Sequence, residues 1–324
     1  MGRVGGRKRG ESSWVARAAF VAARLRRARR IRDALLSIAL VLSACARPSR
    51  IDAPPPPAST QTVFAVATWN MHAGRGDLPR FLGDLASGAL TGTPPQAYIA
   101  LLQEDVESGE PSATTLATRH GLASFFIPVR VDGGLVSGNA ILSTLPLGSP
   151  YGIGLPRERQ PRAAALASIT IAGETLFVVN VHMENRVTWW RGLFSDTARG
   201  RQAEALLETL PRDRHGILGG DLNTWLGARE PAWRAMAKRF RDTPTDPPQP
   251  TFHDRLVLDH LFFDLPEGWT AISRVISDSY GSDHHPVVAI VTAATNATKT
   301  DWPQRTQTSL RKIKNQSALC GLCG

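Results

Sequence analysis

Between residues 63 and 292 short apolar runs alternate with amphipathic stretches. Val63–Trp69 (VFAVATW) predicts a strand that ends at Asn70, and Ala97–Leu102 a second that ends at Gln103-Glu104. Ser124–Val131 and Leu135–Ser143 predict a hairpin turning at Asp132-Gly133-Gly134, and Ala163–Ile171 with Thr175–Val181 another around Ala172-Gly173-Glu174. Gly216–Asn223 (GILGGDLN), Val257–Phe263 and Val287–Thr292 complete the strands. Helical spacing predicts helices over Leu78–Ser87, with Pro79 at its start, and over Ala113–His120, closed by Gly121. Thr197–Leu210 and Glu230–Phe240 are the other two, the last leading into a proline-rich loop, Pro244–Pro250. Strands alternating with helices, together with adjacent hairpins, predict a mixed-sheet α/β sandwich rather than a purely parallel sheet. There is no internal repeat.

The ends of the chain differ from this middle. Residues 1–33 are rich in arginine, and the apolar run Ala34–Ala44 has the length of a secretory-signal core rather than of a membrane span. It closes in Leu42-Ser43-Ala44-Cys45, which resembles a bacterial lipobox. The expectation is lipidation of Cys45 at the end of a 1–45 signal segment; an ordinary signal peptide and a secreted protein are the alternative. Residues 46–62, with Pro54-Pro55-Pro56-Pro57, read as an extended tether, 63–292 as the catalytic domain and 293–324 as a disordered basic tail. Together these readings place the domain outside the cytoplasm, membrane-anchored and facing the periplasm or the cell surface.

Charge follows the same division. The formal net charge of the 324 residues is +10, but residues 1–50 carry +11 and residues 293–324 carry +4, so residues 51–292 carry −5. The basicity of the ends is therefore no argument for a nucleic-acid partner of the domain. Cys45, Cys320 and Cys323 are the only cysteines, which excludes a thiol nucleophile, a cysteine-ligated zinc and a disulfide framework from the middle. Cys320 and Cys323 have redox-motif spacing but stand in the tail and read as incidental.

Chemistry-bearing side chains recur where the apolar runs stop: Asn70, Gln103-Glu104, Asn180 with His182, Asp221 with Asn223, Asp259-His260, and Ser282-Asp283-His284. Each has a plain structural reading as a turn residue, a cap or a satisfied core histidine. Strand ends converge on one rim of an α/β sandwich, so the set has a place to meet. Asp221 and Asn223 are two residues apart and share a side of an extended backbone. Gly219 and Gly220 before them read as room for a phosphate.

In order, spacing and strand context, TWN (68–70), LLQE (101–104), GNAILS (138–143), NVHMEN (180–185), GGDLN (219–223), LDHLFF (258–263) and SDHHP (282–286) resemble the endonuclease/exonuclease/phosphatase superfamily. The resemblance covers about residues 63–292. It implies a four-layer α/β sandwich, two packed mixed sheets flanked by helices, and divalent-metal-dependent hydrolysis of phosphoesters. It implies Glu104 as the main metal carboxylate, Asn70 as a metal ligand or phosphate contact, Asp283 as a further metal ligand, and Gln103 as a support. Asp221 and Asn223 would contact metal or attacking water and the phosphate. His284 resembles the catalytic histidine oriented by Asp259, and His182 the second histidine of the branch with deoxyribonucleases, sphingomyelinases and inositol-phosphate phosphatases. Oxygen-rich ligands suit Mg²⁺ or Mn²⁺ better than zinc. His285 reads as structural, and Arg162 either contacts phosphate or is a surface arginine. The substrate is expected to be a nucleic acid, a phospholipid or sphingomyelin head group, or a small phosphoester. Trp189 and Trp190 in Arg186–Asp196 either stack on bases, enter a lipid interface or pack on the next helix. A noncatalytic binding module that retains the fold is the alternative function, and no protein partner is inferred.

Overall fold

The strands assemble into two sheets whose apolar faces are packed against each other. The computed structural model describes residues 50–51 (backbone), 63–107, 112–185, 196–244 and 249–293. The signal segment with Cys45, most of the tether, the Trp189-Trp190 loop, residues 245–248 and the tail with Cys320 and Cys323 lie outside the described residues.

One sheet contains β1 (Arg50–Ile51), β2 (Val63–Asn70), β3 (Ala97–Val106), β4 (Ala123–Asp132), β5 (Leu135–Ser143), β11 (Thr270–Val275) and β12 (Val287–Thr292), in the order β1-β4-β5-β3-β2-β12-β11. The other contains β6 (Gly148–Gly154), β7 (Ala163–Ile171), β8 (Glu174–His182), β9 (Gly216–Asp221) and β10 (Asp259–Asp264), in the order β10-β9-β8-β7-β6. Each sheet is mixed: β2 and β3 run parallel, as do β8 and β9, and the other pairs are antiparallel. Residues 50–51, expected in the tether, instead pair with the edge of β4.

Period-2 alternation explains the layers. Phe64, Val66, Ile99, Leu101, Val178, Ile217, Leu261 and Phe263 point into the space between the sheets and form the central core. Ala65, Ala67, Trp69, Ala100 and Leu102 point the other way, under α1 (Leu78–Ser87) and α2 (Ala113–His120). Val179, Val181, Leu218 and Phe262 form the corresponding outer layer under α3 (Asp196–Thr209) and α4 (Pro231–Arg239). The result is the expected four-layer sandwich. The first two helices begin and end where local chemistry dictates. Asp77 and Ser112 accept hydrogen bonds from the first-turn amides of Arg80 and Thr115, and Gly88 and Gly121 close the C-termini in the left-handed region.

Strands β6 and β11 were not expected. β6 (GSPYGIG) has three glycines and a proline, and β11 (TAISRV) lacks a continuous apolar run. Both are edge strands held by a single neighbour, so pairing defines them rather than intrinsic propensity.

The glycines before Asp221 require a correction. A Cβ on Gly219 would meet Leu101 Cδ1 at 2.6 Å, Leu261 Cδ2 at 2.8 Å and Thr68 Cβ at 3.2 Å. Gly220 has φ +155°, and a Cβ there would lie 1.8 Å from the Val181 carbonyl oxygen. The space at both positions is filled by protein. Gly219 lets the sheets approach each other and Gly220 lets β9 lie against β8; neither makes room for a phosphate. Gly220→Ala is expected to cost about 3 kcal/mol or more in urea unfolding, since a strained φ and a backbone clash act together. Gly83→Ala, on α1 with nothing within 4 Å of a built Cβ, is expected to gain about 0.5–1 kcal/mol in the same measurement.

Candidate active site

The inward-facing stripes of four central strands turn from apolar to polar at the same end of the sandwich. Along β2 it runs Phe64, Val66, Thr68, Asn70; along β3, Ile99, Leu101, Gln103; along β8, Val178, Asn180, His182; and along β9, Ile217, Gly219, Asp221. Antiparallel β10 begins at that end with Asp259. His182 pairs in register with Asp221, and Asp221 with Asp259, so three ionisable side chains lie abreast on three neighbouring strands.

Asp221 is the hub. It is buried, with Oδ2 accepting from Asn70 Nδ2 at 3.0 Å and Oδ1 accepting from the Asn223 amide at 2.9 Å. His182 Nε2 lies 3.5 Å and His284 Nε2 3.9 Å from the same Oδ2. Burial, then the neighbouring Asp259, raise the Asp221 pKa to about 7, against the pull of His284.

The two histidines are opposites. Burial lowers the pKa of His182 well below 6.5, and the positive charges of Arg162 and His284 lower it further, so its imidazole is neutral. Burial also works against a charge on His284, but Asp259 overrides it: Nδ1 lies 2.7 Å from Asp259 Oδ2, and the pKa rises to about 10. His284 is therefore an imidazolium at neutral pH. Its loop is fixed by Trp69 Nε1 donating to the His284 carbonyl at 3.1 Å. Ser282 Oγ donates to the Asn70 carbonyl at 2.7 Å and accepts from the His284 amide at 3.0 Å.

Glu104 reaches the site through a bulge in β3. Register against β5 shifts between Leu102 and Asp105, and Glu104 takes φ 56°. A bulge re-aims the side chain it carries. Glu104 Oε2 accepts from the Ala73 amide at 2.8 Å, and the residue lines a pocket with His182, Asn139, Gln160 and Arg162. Asp283 stands across the same turn, its Oδ1 3.2 Å from His72 Nδ1, and Asn70 Oδ1 accepts from the His72 amide at 3.0 Å. Oxygens of Asn70, Glu104 and Asp283 thus all gather on the His72-Ala73 turn, a donor set that fits a hard divalent cation. Asp221, Asp259 and His284 also offer ligand atoms within 4.8 Å of one another. Within that group Asp259 holds His284 through Nδ1 at 2.7 Å, which leaves Nε2 as the other ring nitrogen.

Two of the expected site residues make structural bonds. Gln103 Nε2 lies 3.0 Å from Thr68 Oγ1, 3.0 Å from the Leu101 carbonyl and 2.7 Å from Asn180 Oδ1. It braces the sheets beneath the site. Asn223 is buried with φ 52° and donates from Nδ2 to the Met183 carbonyl at 3.2 Å, tying the exit of β9 to that of β8. His285 is structural as expected, contacting the Ile276 carbonyl at 3.1 Å and Asp254 at 3.1 Å.

Sequence reasoning missed His72, which touches Asp283, and Phe252, whose ring centroid lies 4.7 Å from that of His284. Phe252 carries no signal, since it joins the site from a loop far upstream of His284. It also assigned nothing to Glu184, although that acid stands two residues after His182 in a quoted motif.

No curated protein matches the chain by sequence. The fold is shared with solved structures at low identity. An endonuclease/exonuclease/phosphatase from Beutenbergia cavernae DSM 12333 aligns with a TM-score of 0.57 at 19% identity over 72% of each chain. The human Nocturnin catalytic domain with bound sulfate aligns with a TM-score of 0.54 at 17% identity, over 76% of this chain and 97% of that one. An endonuclease/exonuclease/phosphatase family protein from Leptotrichia buccalis C-1013-b aligns with a TM-score of 0.53 at 14% identity, over 70% and 99%. The profile of the Endonuclease/Exonuclease/phosphatase family matches residues 67–284, which hold the motifs from Asn70 through His284, and the chain belongs to that family.

Proposed function

We propose that the chain is a divalent-metal-dependent phosphoester hydrolase. The observation that carries this reading is the placement of a neutral His182 and a charged His284 on the same Asp221 carboxylate, with His182 lining the pocket that Glu104 also lines.

Asp221, with a pKa near 7, suits the acceptance of a proton from an attacking water. Asn70 holds the carboxylate in place from one side. His284, charged and tethered by Asp259, would serve the phosphoryl oxygens as a cationic donor, and neutral His182 offers a second imidazole beside the same carboxylate oxygen. A Mg²⁺ or Mn²⁺ held by Glu104, Asp283 and Asn70 would offset the charge that develops on the phosphoryl group. Arg130, Ser137, Asn139, Gln160 and Arg162 offer polar groups to a pocket whose wall also includes Ala73, Val129 and Pro161. The substrate is a nucleic acid, a lipid head group or a small phosphoester. The sequence of the first 45 residues supports an extracytoplasmic, lipid-anchored enzyme.

Hydrolysis of bis-p-nitrophenyl phosphate, plasmid DNA and sphingomyelin, each with Mg²⁺ and with EDTA, tests the reading. Activity on at least one is expected with Mg²⁺ and loss with EDTA. Glu104→Ala, Asp221→Ala and His284→Ala should each lower kcat by about 10²–10⁴-fold in folded protein. Near-full activity in two of the three refutes the assignment.

Asp259→Asn has a spectroscopic consequence in metal-free protein. His284 loses its nearest counter-charge while its burial remains, so its NMR titration is expected to fall from about 10, with Asp221 and Asp283 still opposing the effect of burial. A folded pKa raised above the unfolded one contributes stability that is fully present below about pH 6.5 and lost as pH rises through about 10. The variant should therefore be more destabilised, relative to the parent, at pH 6 than above pH 10. A His284 titration that stays near 10 overturns the pairing.

Labelled palmitate should be incorporated into the expressed protein, and Cys45→Ala should abolish the label and release the protein from membranes. Unlabelled parent protein refutes lipidation.

A further inference from the structure

Glu184 is completely buried, yet its carboxylate serves the exposed turn between β6 and β7. Oε2 accepts from the amides of Arg159 at 3.0 Å and Gln160 at 2.9 Å. Oε1 is buried with no hydrogen-bond partner among the described residues. Amides of a surface turn are ordinarily satisfied by water, so desolvating a carboxylate for them is more than the turn itself requires. What the carboxylate secures is position. The next residues, Gln160, Pro161 and Arg162, form the wall of the pocket that Glu104 and His182 close on the other side.

The backbone of Glu184 is itself fixed. Its amide donates to Gln202 Oε1 at 2.8 Å, and its carbonyl and that of Asn185 accept from Arg199 Nη1 at 3.3 and 3.0 Å. Arg199 is locked by a buried fork to Glu230, at 2.6 and 2.8 Å. Gln202 Nε2 donates to the Pro156 carbonyl at 3.0 Å, anchoring the start of the same turn. The chain segment after His182 and the turn before Arg162 are thus one rigid piece. Arg162 Nε is buried and also without a partner among the described residues, and Glu184 is the carboxylate that most opposes the loss of Arg162 charge on burial.

We infer that Glu184 is a positioning residue for substrate binding: through the amides of Arg159 and Gln160 it sets Gln160 and Arg162 as a polar wall for the anionic, phosphoryl-bearing part of the substrate. The inference rests on the phosphoester reading of the same site, and it predicts an effect on binding rather than on the chemical step.

The test uses the full chain with Mg²⁺, in steady-state hydrolysis of bis-p-nitrophenyl phosphate and in calorimetric titration with inorganic phosphate. Glu184→Ala should raise KM and weaken phosphate binding on the order of tenfold, equivalent to about 1.4 kcal/mol, with kcat within about threefold. Glu184→Gln keeps an acceptor for both amides and should restore both constants to within about twofold of the parent. A merely structural role would instead lower the active fraction, and so the apparent kcat, at unchanged KM. Gln160→Ala, on the turn itself, should raise KM in the same direction and keeps the test decisive if Glu184→Ala does not fold. Glu184 and Gln160 variants with KM and phosphate affinity within twofold of the parent overturn the inference. If the parent hydrolyses no phosphoester, the proposed function falls, and the phosphate titration of the variants still decides the role of Glu184.

Discussion

The structure depends on a polar junction between two apolar sheets. Asn180 is fully buried, and its Nδ2 donates to the carbonyls of Leu102 at 2.7 Å and Ala140 at 2.8 Å, while Oδ1 lies 2.7 Å from Gln103 Nε2. A buried carboxamide is costly when unsatisfied and strongly directional when satisfied. Here it fastens β8 to β3 and β5 beside the bulge that turns Glu104 outward. Below this junction the inward stripes of β2, β3, β8 and β9 are mainly apolar; above it they carry Asn70, His182 and Asp221. The junction therefore sets both the depth of the site and the register in which the two sheets contribute to it.

That boundary explains the electrostatics. Asp221, Asp259, His182 and His284 sit where core packing ends but water is still excluded, so desolvation is the largest influence on the pKa of Asp221, His182 and His284. Desolvation alone would discharge all three. The one contact that reverses it is Asp259 on His284, and it creates the difference between the histidines: one keeps its proton near pH 10 and the other does not take one at neutral pH.

Rigidity reaches the rim by the same means. The turn that carries Gln160 and Arg162, the segment after His182 and the N-terminus of α4 share one buried network through Glu184, Gln202, Arg199 and Glu230. On the opposite side the Ser282–His284 loop is held by Trp69 and by the Asn70 carbonyl. Tyr280, packed on Trp69 and Phe81, donates its hydroxyl to Asp84 at 2.8 Å and anchors that loop to α1. The side chains of the candidate site are presented by strand ends, and their surroundings are held by buried polar contacts rather than by the strands themselves.

The sequence by itself determined most of the strands and the side chains at their ends. Period-2 alternation and the order of motifs are local properties, and they located Asn70, Glu104, His182, Asp221, Asp259 and His284 without any contact being known. Only the tertiary structure decided the rest. Gly219 and Gly220 accommodate Leu101, Thr68 and Val181 rather than a ligand, and Gln103 binds Asn180 across the two sheets. The edge strands β6 and β11 exist because a neighbour pairs with them. The charges of the two histidines depend on burial and on a carboxylate from another strand. These are effects of desolvation and of neighbours distant in sequence, which one-dimensional spacing cannot record.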